Sequence, residues 1–306
     1  MKRVLVLYGT ASYEHDISIK SAMTIKDNID YDKYDVSFCY IDKDNIWYHD
    51  DKKIDNIVSY LKSFDVVFPM IHGMYGEDGR LEGLFEIFNI KYVGSNMSSS
   101  ILSYDKSLTK LILDKYNIPQ VPYFVLKKDH KISNKLGYPV IVKPARCGSS
   151  IGISICYNKG EYKKALKKAF KYDDKIVVEK YLHIRELECS IIFDEHFKTG
   201  MIGEVISSND FYDYEAKYEK ESKLIIPAKL NKEIVKNIKK YTLLIADILE
   251  VKNYARLDFM LDKDNNIFFN EINTIPGFTN ISMFLKLLEN KNTNIKRIIS
   301  ALIDNA

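Results

Sequence analysis

Two apolar runs near the end of the chain, residues 254–261 (Tyr-Ala-Arg-Leu-Asp-Phe-Met-Leu) and 267–273 (Ile-Phe-Phe-Asn-Glu-Ile-Asn), flank the turn-forming segment Asp-Lys-Asp-Asn-Asn at 262–266. The pattern predicts a β-hairpin. With the turn centred between Asp264 and Asn265, the antiparallel register sets Asp258 opposite Glu271 and Arg256 opposite Asn273, with all four side chains on one face. Carboxylates facing each other across a ladder repel. Either this face is solvated and the repulsion screened, or a positive group sits between them. A cluster of acidic and amide oxygens suits Mg²⁺, which commonly shares its coordination with phosphates, and on that reading the hairpin belongs to nucleotide chemistry.

The arginines give weak support. Among 45 basic residues only Arg3, Arg80, Arg146, Arg185, Arg256 and Arg297 are arginine. In so Lys-rich a chain, an Arg inside a strand beside acids points to a need for the planar five-donor fork. The remaining charge says little about partners. Net charge is +3, with acids interleaved among the lysines, and there is no basic block of the kind that binds nucleic acid or a membrane. No apolar stretch is long enough to cross a bilayer, and residues 1–9 are too short and strand-like for a signal peptide, so a cytoplasmic protein is expected. Cys39, Cys147, Cys156 and Cys189 have neither metal-ligand spacing nor the density of a disulfide framework, and are expected to be reduced thiols.

At 306 residues the chain is expected to divide into two or three domains. Its first third alternates strand and helix: strands at 3–8, 34–41 and 66–72, helices near 17–28 and 81–88. This predicts a small parallel α/β domain over residues 1–96, with Glu14 and His72 at strand carboxyl ends, where ligands meet such sheets. From residue 97 the pattern changes. A helix near 105–116, strands at 123–126, 140–143, 153–156 and 175–179, and a helix with Tyr162, Ala165, Leu166, Ala169 and Phe170 at core spacing form a unit over 97–182. Residues 183–306 are expected to hold another sheet, a helix near 232–250, the acidic hairpin and a final helix near 293–304.

The loop after Lys143, containing Gly148-Ser149-Ser150-Ile151-Gly152, is small and rich in hydroxyls, a composition that lets backbone N–H groups approach phosphate. A plain hairpin connection has the same composition. It lacks the Gly-Lys-Ser/Thr ending of a Walker loop, and no Gly-x-Gly-x-x-Gly follows the first strand. Lys143, inside an otherwise apolar strand, demands an anionic partner.

Taken together, five segments resemble the D-alanine–D-alanine ligases of the ATP-grasp superfamily: Ile71-His72-Gly73-Met74-Tyr75-Gly76-Glu77-Asp78-Gly79; Val142-Lys143-Pro144 with Gly148-Ser149-Ser150-Ile151-Gly152; Phe211-Tyr212-Asp213-Tyr214-Glu215-Ala216-Lys217-Tyr218; Arg256-Leu257-Asp258-Phe259; and Asn270-Glu271-Ile272-Asn273-Thr274-Ile275-Pro276-Gly277-Phe278-Thr279. The resemblance implies a three-domain ATP-grasp architecture: an N-terminal parallel α/β substrate domain, then two α+β domains enclosing ATP. It implies ATP-dependent joining of two D-alanines through a D-alanyl phosphate for peptidoglycan precursors, in a cytoplasmic homodimer that needs neither nucleic acid nor membrane.

The resemblance also implies roles. Asp258, Glu271 and Asn273 become ligands of two Mg²⁺ ions, for which Mn²⁺ is a substitute. Lys106, Lys143 and Lys217 are matched to the ATP phosphates; Glu179, Lys180 and Leu182 to the adenine region; Glu186 to the ribose hydroxyls. Glu14 holds the ammonium of the first D-alanine, and Ser149 and Tyr218 bond with it and tie two loops over the substrates. Arg256 and the Gly277 N–H form the oxyanion site, Ser282 and the Met283 backbone hold the second substrate's carboxylate, and His72 lies near the reacting groups. Departures fall at Thr10, where a Gly is usual, at Glu82 for Gln, and at Ile281 for His. Because these touch the substrate rim, D-serine and, less readily, D-lactate stay open as second substrates beside D-alanine, as does a non-catalytic nucleotide-binding module.

Overall fold

The computed structural model describes residues 1–128, 133–194, 196–206, 223–289 and 293–306. Fourteen strands among them form three sheets. In the first, β1 (Lys2–Gly9) lies between β2 (Tyr34–Ile41) and β5 (Val66–Pro69), parallel to both. Two short strands, β3 (Trp47–His49) and β4 (Lys52–Lys53), extend the β2 edge antiparallel. They depart from the all-parallel expectation. The Asp42–Ile46 turn, whose Asp42 Oδ1 accepts the N–H groups of Asp44 and Ile46 at 2.8 and 2.9 Å, folds the chain straight back, a local hairpin that needs no crossover helix.

The second sheet, β6 (Tyr123–Lys127), β9 (Lys175–Lys180), β7 (Val140–Pro144) and β8 (Ser154–Cys156), is antiparallel and packs on the helix Lys159–Ala169. The third runs β12 (Lys223–Ile225), β11 (His196–Ile206), β10 (Ile184–Asp194), β13 (Tyr254–Asp262), β14 (Ile267–Asn273), again antiparallel. One face of it buries Leu187, Cys189, Ile191, Leu257 and Ile272 against the helix Lys232–Ile248. Strand alternation leaves the other face to carry charge.

The hairpin β13–β14 pairs Asp258 with Glu271 and Arg256 with Asn273, the register expected at that end, but for a different reason. Beyond a bulge the pairing is Phe259 with Phe269 and Leu261 with Ile267, so the turn centres on Asp264 and Asn270 is the extra residue. Such a bulge re-aims side chains. Asn270 and Glu271, consecutive residues that a regular strand would send to opposite faces, both line the same cleft.

A helix over Met97–Tyr104 has no counterpart in the sequence reading. Its serines weaken intrinsic helix preference, yet Ser99, Ser100 and Ser103 are buried and the Asn96 side chain caps the start by accepting from the Ser99 N–H at 2.8 Å. Tertiary packing overrides propensity here. The final helix, Ile295–Asp304, returns to the first sheet, placing Ile298, Ile299, Leu302 and Ile303 in one core with Val4, Val6 and Phe68. The exit of β14 reaches the same domain, the Ile275 N–H donating to Glu77 and the Phe278 N–H to Ser21. Thr10 in the loop after β1 adopts φ +76° despite its branched side chain, held by its N–H donating to the Ile41 carbonyl at 2.7 Å, a strained geometry for anything but glycine.

Candidate active site

A cleft of about 530 Å³ opens between the second and third sheets. On one wall β7 and β9 set Lys143 and Glu179 on the same face, two pairs apart in the ladder. Lys143 Nζ lies 2.6 Å from Glu179 Oε2 and donates to Asn270 Oδ1 at 3.2 Å. Glu179 Oε1 is 2.8 Å from the ammonium of Lys110, which is 1% exposed. Burial alone would raise the Glu179 carboxyl, but the two ammonium groups outweigh it and hold the carboxyl at about 2. Burial lowers the Lys110 ammonium.

The helix Lys106–Lys115 begins at this wall, capped by the Asp105 carboxylate, which accepts from the Ser107 N–H at 3.0 Å. Its first residue, Lys106, donates to the Cys147 carbonyl at 2.9 Å and lies 3.3 Å from Glu271. Lys110, one helical turn later, falls on the same side.

On the other wall three carboxylates lie side by side across adjacent strands, Glu188 on β10, Asp258 on β13 and Glu271 on β14. Arg256 answers them. Its Nε is 2.9 Å from Glu188 Oε2, and it makes a two-point bond to Asp258 at 2.8 Å on each side. Burial works against the guanidinium's charge, but Asp258, Glu188 and Glu271 more than offset it and hold Arg256 protonated. Asn273 Nδ2 donates to Asp258 Oδ2 at 3.3 Å.

Among the described residues no three His, Cys, Asp or Glu side chains converge as a ready cage for a metal. Two carboxylates and an amide are a donor set for an ion that keeps water and phosphate ligands, as Mg²⁺ does.

Glu14 lies on the loop between β1 and the first helix, and the Ser149 hydroxyl donates to its Oε1. Ser149 and Ser150 both take left-handed backbone angles, φ +50° and +59°. Gly148 packs close, since a Cβ there would lie 3.0 Å from Glu14 Oε2. His72 is buried. Its Nδ1–H donates to the Ile275 carbonyl at 2.7 Å and its Nε2 meets the Ser21 hydroxyl at 2.8 Å. Burial lowers its pKa, so the ring is neutral. The same Ser21 oxygen accepts the Phe278 N–H at 3.2 Å.

The expected residues Lys106, Lys143, Ser149, Glu179, Lys180, Leu182, Glu186, Asp258 and Glu271 thus line one cleft, with Arg256 and Asn273 bonded to its edge. Lys180's ammonium donates to the Tyr138 carbonyl at 3.2 Å. Ser282 donates to the Gly277 carbonyl, whereas the Met283 side chain is buried in a small apolar cluster with Val205 and Leu287. Lys217 and Tyr218 lie outside the described residues. Of the three departures, Glu82 is buried and Ile281 is 65% exposed, while Thr10 keeps the left-handed angle.

Two site residues were missed from sequence. Glu188 shares the alternation of Glu186, but a strand's facing does not reveal its neighbour strand. Lys110 sits four residues after Lys106, a signal submerged by the abundance of lysine.

Three sheets in this order, with a lysine-bearing wall facing an acid-bearing wall, define an ATP-grasp ligase architecture. The family models described as D-ala D-ala ligase N-terminus and C-terminus match residues 3–95 and 112–304. D-alanine–D-alanine ligases of Borreliella burgdorferi and Acetivibrio thermocellus are 40% and 38% identical, over 100% and 99% of this chain and 95% of each relative. Among solved structures, the VanG D-Ala:D-Ser ligase from Enterococcus faecalis superposes with TM-score 0.89 at 29% identity, covering 99% of this chain and 98% of that one. The D-alanine–D-alanine ligase of Bacillus anthracis complexed with ATP does so with TM-score 0.84 at 27% identity, covering 100% and 97%. The chain belongs to the D-alanine–D-alanine ligase family.

Proposed function

We propose that this chain joins two D-alanine molecules to D-alanyl-D-alanine at the expense of ATP, releasing ADP and phosphate for peptidoglycan precursor synthesis in the cytoplasm. The observation that carries the reading is the juxtaposition of the two walls: Lys143 and Glu179 from one sheet face Asp258 and Glu271 from another across a single cleft, with the Glu14–Ser149 bond beside it.

Lys106 and Lys143 offset the phosphate charge of ATP, a role Lys217 shares. Glu179, Lys180 and Leu182 bound the adenine, and Glu186 takes the ribose hydroxyls. Asp258, Glu271 and Asn273 would hold Mg²⁺, or Mn²⁺ in its place, which when bound neutralises charge on the transferring phosphoryl group. Glu14 fixes the ammonium of the first D-alanine, so its carboxylate oxygen is aimed at the γ-phosphorus. That oxygen forms the new P–O bond as the bond to ADP breaks, giving D-alanyl phosphate.

The second D-alanine, held at its carboxylate by Ser282 and the Met283 backbone, attacks the acyl carbon with its deprotonated amine. Arg256 and the Gly277 N–H stabilise the developing oxyanion. Phosphate then leaves and the amide remains. Ser149 and Tyr218 close loops that keep water from the acyl phosphate. Since both ring nitrogens of His72 are engaged by Ile275 and Ser21, we read it as holding the 275–278 segment in place.

Mass analysis of the product from ATP with D-alanine, D-serine, D-lactate and L-alanine together tests the reading. D-alanyl-D-alanine with stoichiometric ADP is expected. An L-alanine product, or ATP binding without amino-acid-dependent ADP release, contradicts it. The likeness to the VanG D-Ala:D-Ser ligase favours one second reading, D-serine as acceptor; a single added hydroxyl is only modestly discriminated by a pocket. The same mixture separates the two by product mass.

A further inference from the structure

The turn after His72 carries a buried carboxylate that the ligation steps above leave without a role. Glu77 Oε2 accepts the Gly73 N–H at 3.0 Å, and Oε1 accepts the N–H of Ile275 at 2.6 Å, across a separation of 198 residues. Both ends of the joint matter. Gly73, at φ +70°, runs so close to Glu14 that a Cβ would lie 2.4 Å from its Oε2. Ser12 ties the same place, donating to the His72 carbonyl at 2.8 Å and accepting the Glu14 N–H at 3.1 Å. Ile275, two residues before Gly277, gives its N–H to Glu77 and its carbonyl to His72.

Burial, with Glu14 adding to it, pushes the Glu77 carboxyl up to about 8, while the Ile275 and Gly73 N–H groups pull it down. The donor count decides its state. Each oxygen faces an N–H, and a neutral carboxyl would need a further acceptor for its own O–H. Glu82 is the contrast. Burial pushes it to about 8 as well, against its own backbone N–H and the Ser100 hydroxyl, which it accepts at 2.8 Å, and its Oε2 has no hydrogen-bond partner among the described residues.

We propose that Glu77 is a positioning residue, an ionised strut that fixes the spacing between the substrate carboxylate Glu14 and the acyl-oxygen site at Gly277. The proposal rests on the ligase reading for its kinetic consequence, but not for its structural one. A glutamine offers one acceptor and one donor, so Glu77→Gln sets an NH₂ against either Gly73 or Ile275. The first D-alanine and the oxyanion site then lose register, while the nucleotide site keeps its contacts.

The test uses the full chain with Glu77→Gln and, as control, Glu86→Gln, whose carboxylate accepts the Tyr92 hydroxyl and the Met97 N–H. Glu77→Gln should lower kcat by about 10–100-fold, the cost typical of lost outer-shell support, with KM for ATP within about twofold of wild type; Glu86→Gln should leave kcat unchanged. Hydrogen exchange read by mass spectrometry on the peptide containing Ile275, without substrates, should be faster in Glu77→Gln. In the wild type, protection of that amide, corrected for intrinsic rate, should stay flat from pH 6 to 9, although Glu14, Glu82, Tyr104 and Tyr254 are titratable neighbours. Wild-type kcat and exchange in Glu77→Gln would overturn the proposal, as would a kcat loss matched by an equal loss of ATP affinity, or wild-type protection that rises through pH 8. If the exchange result holds while no dipeptide forms, the strut stands and the ligase reading fails.

Discussion

On the wall built by β7 and β9, two ammonium groups, Lys110 and Lys143, share the single carboxylate of Glu179. On the wall built by β10, β13 and β14, three carboxylates, Glu188, Asp258 and Glu271, share the guanidinium of Arg256 and the Lys106 ammonium. Among these named side chains of the described residues, the first wall carries more positive charge and the second more negative. Buried charge is costly unless paired, so each surplus specifies a ligand: an anion against the lysines, a cation against the acids. The ATP of the proposed reaction, with Mg²⁺ bound, would supply both in one molecule.

The sharpest way to break this comparison is to remove Lys110, a fully buried cation that does not line the cleft. Lys110→Met leaves Glu179 with only Lys143, and loss of one partner from a buried ion pair costs on the order of 3–5 kcal/mol. Urea unfolding at neutral pH should show that loss, together with weaker ATP binding. If stability is unchanged, the lysine wall is not held by its internal pairing.

Arg256→Ala probes the acid wall. It takes the guanidinium away from Glu188 and Asp258 and, on the proposed function, removes an oxyanion donor, for which about 10²–10³ in kcat is expected, read by coupled ADP release. A fall in ATP affinity alone would move Arg256 from the acyl site to the nucleotide.

The smallest effect is a pH dependence. The Glu179 carboxyl is depressed from 4.5 to about 2 in the folded chain, so its contribution is complete above pH 4.5 and is lost as pH falls toward 2. Unfolding midpoints measured between pH 5 and 3 should therefore fall more steeply in wild type than in Glu179→Gln. Parallel slopes would mean that Glu179 is not held ionised by its lysines.

The two walls also differ in how far the sequence revealed them. Asp258, Glu271, Arg256 and Asn273 were legible because strand alternation and a turn fix which side chains face one another. The bulge at Asn270 was not, because hairpins with and without it place the same residues at the cleft end. Glu188 stayed hidden because the partner of β13 on its other edge comes from a strand some 70 residues earlier, and no local pattern encodes that pairing. On the lysine wall, Lys143 stood out against an apolar strand. Lys110 did not, because its meaning depends on Glu179 arriving from a distant strand. Thr10 shows the same limit in the backbone: the sequence marks a residue unsuited to a glycine's conformation, and only the Ile41 hydrogen bond shows that the chain takes that conformation regardless.

Calorimetric titration of ATP, with and without Mg²⁺, into wild type and Glu271→Gln addresses the opposed surpluses most directly. ATP should bind wild type at least about tenfold more tightly when Mg²⁺ is present, ~1.4 kcal/mol, and Glu271→Gln should lose that increment while retaining metal-free affinity. Equal affinity with and without Mg²⁺ in wild type, or an increment that survives in Glu271→Gln, would contradict the account.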